Sequence, residues 1–361
     1  MSTTDGKTNV EARYDNSPNE SEKELTKAIL DIIREFIQRR FNEKRRPALR
    51  DAHAKDTGCI RAIFRVDANL DPKLQHGVFI PGKEYKAWIR FSDGNSEVRN
   101  AHWPDARGMA IKLVGVEGDK LSDDERETQD FIMANRPVFF VRGLETYRDT
   151  LKVFHSGGTF MQLVSVFKLK WRERPLAIKG NFTFITNPLF SQYWSQTPYR
   201  LGTDQAKENA IKFTAKPRSR PEGFIAKARR LALATVRYLS PNFSVKQQMA
   251  NTLASHETWF DFYVQRYVDE QHTPIDDPTK NWKKSPLNHV AKIVIPCQDL
   301  FSPDRDFFCE NLSFSPWHCL PEHEPLGPTN RVRKKVYSEI SRFRHELNGR
   351  PKEEPTGDET F

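Results

Sequence analysis

The feature that most restricts this chain is a set of short segments in which apolar residues alternate with polar or charged ones. In "CIRAIFRVDA", Ile60, Ala62, Phe64 and Val66 fall on one face and charged residues on the other. "KAWIRFSD", "GMAIKLVGV" and "PVFFVRG" follow as further strands, and "NAIKFTAKP" and "NHVAKIVIPCQD" read as two more. A period of two commits one face of each strand to a core and turns the other away from it. Helical spacing brackets these strands. Leu25, Ile29, Ile32, Ile33, Phe36 and Ile37 mark an amphipathic helix over 21–46, with Ser21 and Glu24 as its capping box and Pro47 beyond its end. Residues 144–270 are mixed, with helices expected at "TYRDTLKVFHSGG", "TFMQLVSVFKLKW", about 223–239 and 244–256. Strands, then helices, then a strand and a final helix indicate an α+β domain, assigned to residues 47–349. The polar ends, 1–20 and 350–361, are expected to be disordered.

With 361 residues the chain has room for one large domain or two ordinary ones. No apolar run approaches the ~20 residues of a membrane span. The start of the chain has no apolar leader core, so a cytoplasmic setting is expected. Cys59, Cys297, Cys309 and Cys319 form no C-x-x-C pair, which suits a reducing compartment. Cys309, His318, Cys319 and His323 lie close in sequence, but their spacing matches no usual zinc pattern. The net charge of +9 would suit nucleic acid, a membrane surface or an anionic ligand. The densest basic stretch, "KPRSRPEGFIAKARRLALATVRYL", lacks interleaved stacking aromatics, so no nucleic-acid partner is expected.

The last helix contains "RVRKKVYSEISRFR". Val332, Val336, Ile340, Phe343 and Leu347 form its apolar stripe, and Tyr337 borders it. Arg333 lies four residues before Tyr337 and Arg344 seven after, so all three share a side of the helix. Read alone, this is a rim tyrosine beside a solvated basic face.

Five motifs, in order, resemble the catalase core. They are "RDAHAKDTG", the Arg-Phe-Ser strand with its Asp-x-Arg-Gly successor in "RFSDGNSEVRNAHWPDARGMAIKL", "DFIMANRPVFFVRG", the Phe-x-Pro lead-in "LSFSPWHCLPEHEPLG", and Arg-x-x-x-Tyr at Arg333–Tyr337. The resemblance runs from about Arg50 to Arg344 and is weakest in the middle. It implies an eight-stranded antiparallel β-barrel with helices packed around it and a haem b buried within. It also implies roles. Tyr337 would be the iron ligand, as tyrosine is in catalases, with Arg333 favouring its phenolate form. Arg50, Arg90 and Arg344 would serve the haem propionates. His53 would be the distal histidine, moving a proton between the oxygens of a peroxide, and Ser92 its hydrogen-bond partner. Tyr147 falls where the family stacks a phenylalanine on the haem, and Asp105 where it lines the substrate channel.

Three positions depart from the family pattern. The distal asparagine's place holds Ala134, so either Asn135 serves after a shift of one residue or peroxide is held less firmly. Ser338 replaces the proline after the ligand tyrosine. Ala52 stands where catalases carry valine and coral-type allene oxide synthases threonine. The resemblance therefore implies a peroxide-decomposing haem oxidoreductase of the oxidative-stress type, with hydrogen peroxide as substrate. A second reading is a haem enzyme acting on lipid hydroperoxides, of allene oxide synthase or peroxygenase type. A third is a non-enzymatic basic module. Catalases are usually tetramers, which leaves room for a homo-oligomer.

Overall fold

The computed structural model of the protein describes residues 13–43, 46–95, 105–156, 174–175, 185–218 and 243–361. Its centre is a closed antiparallel barrel. The strands are β1 (Asp56–Val66), β2 (Glu84–Asp93), β3 (Arg107–Val114), β4 (Thr128–Ala134), β5 (Tyr193–Trp194), β6 (Tyr199–Arg200), β7 (Ala210–Pro217), β8 (Thr258–Arg266) and β9 (Asn288–Ile295). They neighbour one another in the order β5-β4-β3-β2-β1-β9-β8-β7, and β5 also pairs with β7, which closes a ring of eight. The short β6 hangs on β7 outside that ring.

The alternation read from the sequence fills the ring. Ile60, Ala62, Phe64 and Val66 point inward from β1, Ala87, Ile89 and Phe91 from β2, and Met109, Ile111 and Leu113 from β3. Phe131, Phe213 and Phe262 join Phe64 and Phe79 in one aromatic cluster, with ring centroids 5.0–6.5 Å apart. Burying each such ring contributes roughly 1.5–3 kcal/mol. The interior is therefore packed side chain and offers no room for a cofactor. The packed side chains leave no space for the haem that the resemblance implied inside the barrel.

Among the described residues there are five α-helices: α1 (Glu20–Asn42), α2 (Leu144–Ser156), α3 (Val245–Leu253), α4 (Pro303–Asn311) and α5 (Pro328–Asn348). None is long and apolar enough to cross a membrane. The cap of α1 is Asn19, whose side chain accepts from the Glu22 amide, rather than Ser21. Ile29, Leu30, Ile33, Phe36 and Ile37 of α1 pack with Leu151 of α2 and with Val332 and Ile340 of α5. Helix α5 ends on Gly349, whose positive φ of 61° closes the last turn.

"PVFFVRG" is not a strand: β4 ends at Ala134, and Pro137, lacking an N–H, cannot extend the ladder. Strand β8 and helix α4 were not anticipated. The expected helices at 159–171 and 223–239 lie outside the described residues. The C-terminal segment has no regular structure but is held in place. The Glu354 carboxylate accepts from the Arg126 and Glu127 amides, Trp88 Nε1 donates to Glu359 at 2.8 Å, and the Phe361 ring lies 5.2 Å from that of Phe308.

One buried charge cluster binds the outer wall to the chain after β9. Lys112 of β3 is fully enclosed and pairs with Glu125 and Asp130. His318 bonds Asp130 at 2.8 Å and Asp124 at 3.1 Å. Burial and the neighbouring Lys112 press the proton off His318, but the bonds to Asp124 and Asp130 outweigh them, and its pKa rises to about 10. Burial likewise disfavours charge on Asp124, yet His318 holds that carboxyl below the usual range. A raised histidine pKa gives stability that is full below its unfolded value and fades as pH climbs through the folded one. A lowered carboxyl pKa gives stability that is lost on acidification. The melting temperature is expected to peak at about pH 5–7 and to decline toward pH 10. His318→Gln should lower the peak and flatten the alkaline decline. An unchanged alkaline limb in that variant would show that His318 does not set it.

Candidate functional site on the outer barrel wall

Alternation that sends Phe91, Met109 and Met133 into the barrel turns their neighbours outward. The strand register then lines up Ser92, Gly108, Ala134 and Trp194 in one row across β2, β3, β4 and β5, and Arg90, Ala110 and Ile132 in the next. Met109, Ile111, Phe131 and Met133 are fully buried, whereas Ala110, Ile132 and Ala134 keep part of their surface open.

His53 sits over the first row. Its Nδ1 is 3.0 Å from Ser92 Oγ, its amide donates to Gly94 O, and its carbonyl accepts from Arg90 Nη2 at 3.0 Å. Its φ of 56° is in the left-handed region that non-glycine residues seldom adopt, so these bonds hold it in a strained backbone conformation. Gly108 makes room for it: a Cβ there would lie 2.6 Å from Nδ1 and 2.7 Å from Ser92 Oγ. Burial first, then Arg90, Arg333 and Arg50, drive the imidazole pKa down to about 4. The ring is neutral at pH 7, and its Nε2 has no hydrogen-bond partner among the described residues.

Helix α5 supplies Arg333 and Tyr337. Arg333 Nη2 donates to the phenol oxygen at 3.1 Å, and the guanidinium carbon lies 5.0 Å from the ring centroid. Nη1 is anchored by Asn330 Oδ1 at 3.0 Å and Thr197 Oγ1 at 3.3 Å. Tyr147 of α2 is within electrostatic reach of this pair, its ring 5.7 Å from Phe139 and 6.1 Å from Phe140. Burial first, then the nearby Asp51 and Tyr337, push its pKa well up. Tyr147, Arg333 and His53 all retain open surface, yet each feels strong desolvation.

Three arginines gather at one edge. Arg50 Nη1 meets Glu310 Oε1 at 3.1 Å, and Arg344 Nη2 bonds the same oxygen. Arg50 Nη2 donates to Leu312 O at 2.7 Å and Arg344 Nε to Ala48 O at 3.0 Å. Arg90 is buried, and its Nε has no partner. Burial first, then the charge of Arg50, lower the pKa of Arg344 to about 9. Of the nearby carboxylates, Glu310 is the one in direct contact with this cluster, while Asp56 and Asp51 act on it through space.

Other expected residues make local hydrogen bonds near the His53 row. Asn135 Oδ1 accepts from the Arg107 amide at 2.7 Å and its own amide donates to Arg107 O at 2.9 Å, a clasp that ends β4. The place opposite Gly108 belongs to Ala134. Asp105 Oδ2 accepts from the Asn95 amide at 3.0 Å. Cys309, His318, Cys319 and His323 do not converge. Among the described residues only Glu125, Asp130 and His318 reach ligand spacing, and the Lys112 ammonium is bonded among them. Gly108, Trp194 and Glu310 were not singled out from the sequence. A glycine inside a strand is a readable sign of close approach, but nothing local marks the other two.

Gly108→Ala should push the imidazole off Ser92 and cost about 1–3 kcal/mol of stability. Histidine NMR resonances and a melting curve check this; an unmoved imidazole in a stable variant would show that Gly108 is not its cradle.

No family model matches the chain, and no curated protein matches it. Solved structures do. A fungal catalase matches over 89% of this chain and 64% of its own, at 19% identity and a TM-score of 0.62. Catalase A from Saccharomyces cerevisiae covers 85% of this chain and 65% of its own, at 17% identity and TM-score 0.58. A bacterial catalase covers 96% of this chain and 67% of its own, at 18% identity and TM-score 0.58. The chain thus spans about two thirds of these proteins' length. With its closed eight-stranded antiparallel barrel and surrounding helices, it has the catalase fold.

Proposed function

We propose that this protein is a haem-b oxidoreductase that decomposes peroxides. The observation that carries the reading is the Arg333–Tyr337 pair on α5, within electrostatic reach of a neutral His53 on a half-open barrel wall. The residues present fit the group. Arg50, Arg90 and Arg344 offer charge to two propionates, and the orphaned Arg90 Nε lacks an acceptor that a carboxylate would supply. The small side chains of Ala110 and Ala134, both partly open, leave room beside His53 for a planar ring. Tyr337 would hold the iron, and Tyr147 would lie against the macrocycle.

When bound, the haem would supply the two electrons that O–O bond cleavage consumes and would regain them from a second peroxide. The chain supplies the proton path. A neutral His53 takes a proton from the near oxygen of a peroxide on Nε2 and delivers it to the far one. Ser92 Oγ fixes the ring by its bond to Nδ1. Arg333 Nη2 donates to the Tyr337 phenol oxygen at 3.1 Å and would help hold that oxygen in place as a ligand.

Ala134 on the His53 row supports the second reading beside this one. No side-chain amide faces His53 from that position, and a peroxide lacking that contact depends more on other anchors. Hydrogen peroxide has none, whereas a lipid hydroperoxide has its chain. A cytoplasmic setting and a homo-oligomer remain part of the proposal, supported by the free cysteines and by the fold.

Haem-loaded protein is expected to release oxygen from hydrogen peroxide at a modest rate on an oxygen electrode, with some turnover of organic hydroperoxides. His53→Ala should keep the haem and slow the reaction by ~10²–10⁴-fold. No oxygen release, together with rapid conversion of a hydroperoxy fatty acid to an epoxide or allene oxide, would replace the first reading by the second.

A further inference from the structure

We propose that Glu310 is a positioning residue for a ligand with two carboxylates, holding Arg50 and Arg344 side by side so that their remaining N–H groups form the docking edge; this rests on the haem reading above. Glu310 lies in the last turn of α4 and belongs to none of the motifs that carry the resemblance to catalases. Its Oε1 alone bridges both guanidiniums. The other protein acceptors at this pair are backbone carbonyls: Leu312 O and Glu310 O for Arg50, and Ala48 O and Glu310 O for Arg344. Arg50 Nε and Arg344 Nη1 make no hydrogen bond among the described residues, and Arg90 Nε is enclosed without one.

The side chains of Glu310 and Arg50 are 20% and 16% exposed and that of Arg344 is 6% exposed. Glu310 thus bonds the pair through one oxygen, and donors of all three arginines stay unclaimed among the described residues. Two guanidiniums drawn onto one oxygen would otherwise repel each other, and Arg50 lowers the pKa of Arg344 through that repulsion. A carboxylate cancels one charge and sets their spacing. An amide at the same place would cancel none. If Glu310 instead competed with the ligand for these arginines, removing its charge would strengthen binding, so the sign of the effect separates the two roles.

The test titrates haemin and haemin dimethyl ester into the protein and into its Glu310→Gln and Glu310→Asp variants, read by tryptophan quenching and the Soret band. The wild type should prefer haemin over the ester by about tenfold or more. Glu310→Gln should weaken haemin binding by about tenfold and leave the ester unchanged, and Glu310→Asp should restore part of the loss. Equal or tighter haemin binding by Glu310→Gln, or a matching loss for both ligands, would overturn the positioning role alone. A wild type that binds neither ligand would overturn the haem reading together with it.

Discussion

The inward face of this barrel is fully occupied by apolar side chains, and that constraint decides where everything else goes. Five phenylalanine rings in mutual contact leave nothing inside to accept a ligand. Chemistry has to be built on residues that alternate with the core residues, one position along each strand. Arg90 and Ser92 flank the inward Phe91, and Gly108 and Ala110 flank Met109. A slip of one residue in either strand would turn the outward residues into the apolar core and the core residues out of it. The register that stabilises the barrel is therefore the same register that assembles the site.

Two buried charge clusters share this wall, and their satisfaction differs. Around Lys112 the cations meet Asp124, Glu125 and Asp130 in direct ion pairs, with His318 and Lys352 completing the set. That cluster is closed on itself and ties the chain after β9 to the barrel. Around Glu310 two guanidiniums share one carboxylate oxygen, and a third, Arg90, keeps an enclosed N–H unpaired. Buried cations so poorly matched are costly unless an anion joins them. The first cluster is closed by its own ion pairs, and the second is the one on which the proposed binding site rests.

Much of this was legible before the fold was seen, for physical reasons. Period-two alternation marked β1, β2, β3, β7 and β9 because one face of each is buried. Helix α5 was legible from its apolar stripe and from the Arg333–Tyr337 spacing, which local geometry alone brings within hydrogen-bond reach. "PVFFVRG" failed because apolar content without alternation does not distinguish a strand from a loop whose aromatic rings pack on Tyr147. Strand β8 was passed over because Trp259 and Phe260 blur its alternation. The pairing of Ala134 rather than Asn135 with Gly108 depends on where β4 ends, which a clasp with Arg107 sets. Glu310 and Trp194 could not be read at all, because their partners lie far away in sequence.

The account stands or falls on what Tyr337 does. The measurement that bears on it most directly is the electron paramagnetic resonance and visible absorption of haemin-loaded protein, compared with Tyr337→Phe under the same loading. The wild type should show high-spin ferric iron with a phenolate charge-transfer band, and the variant should lose that band along with much of its haem. Identical spectra at equal occupancy, or a histidine-ligated spectrum in both, would contradict the account.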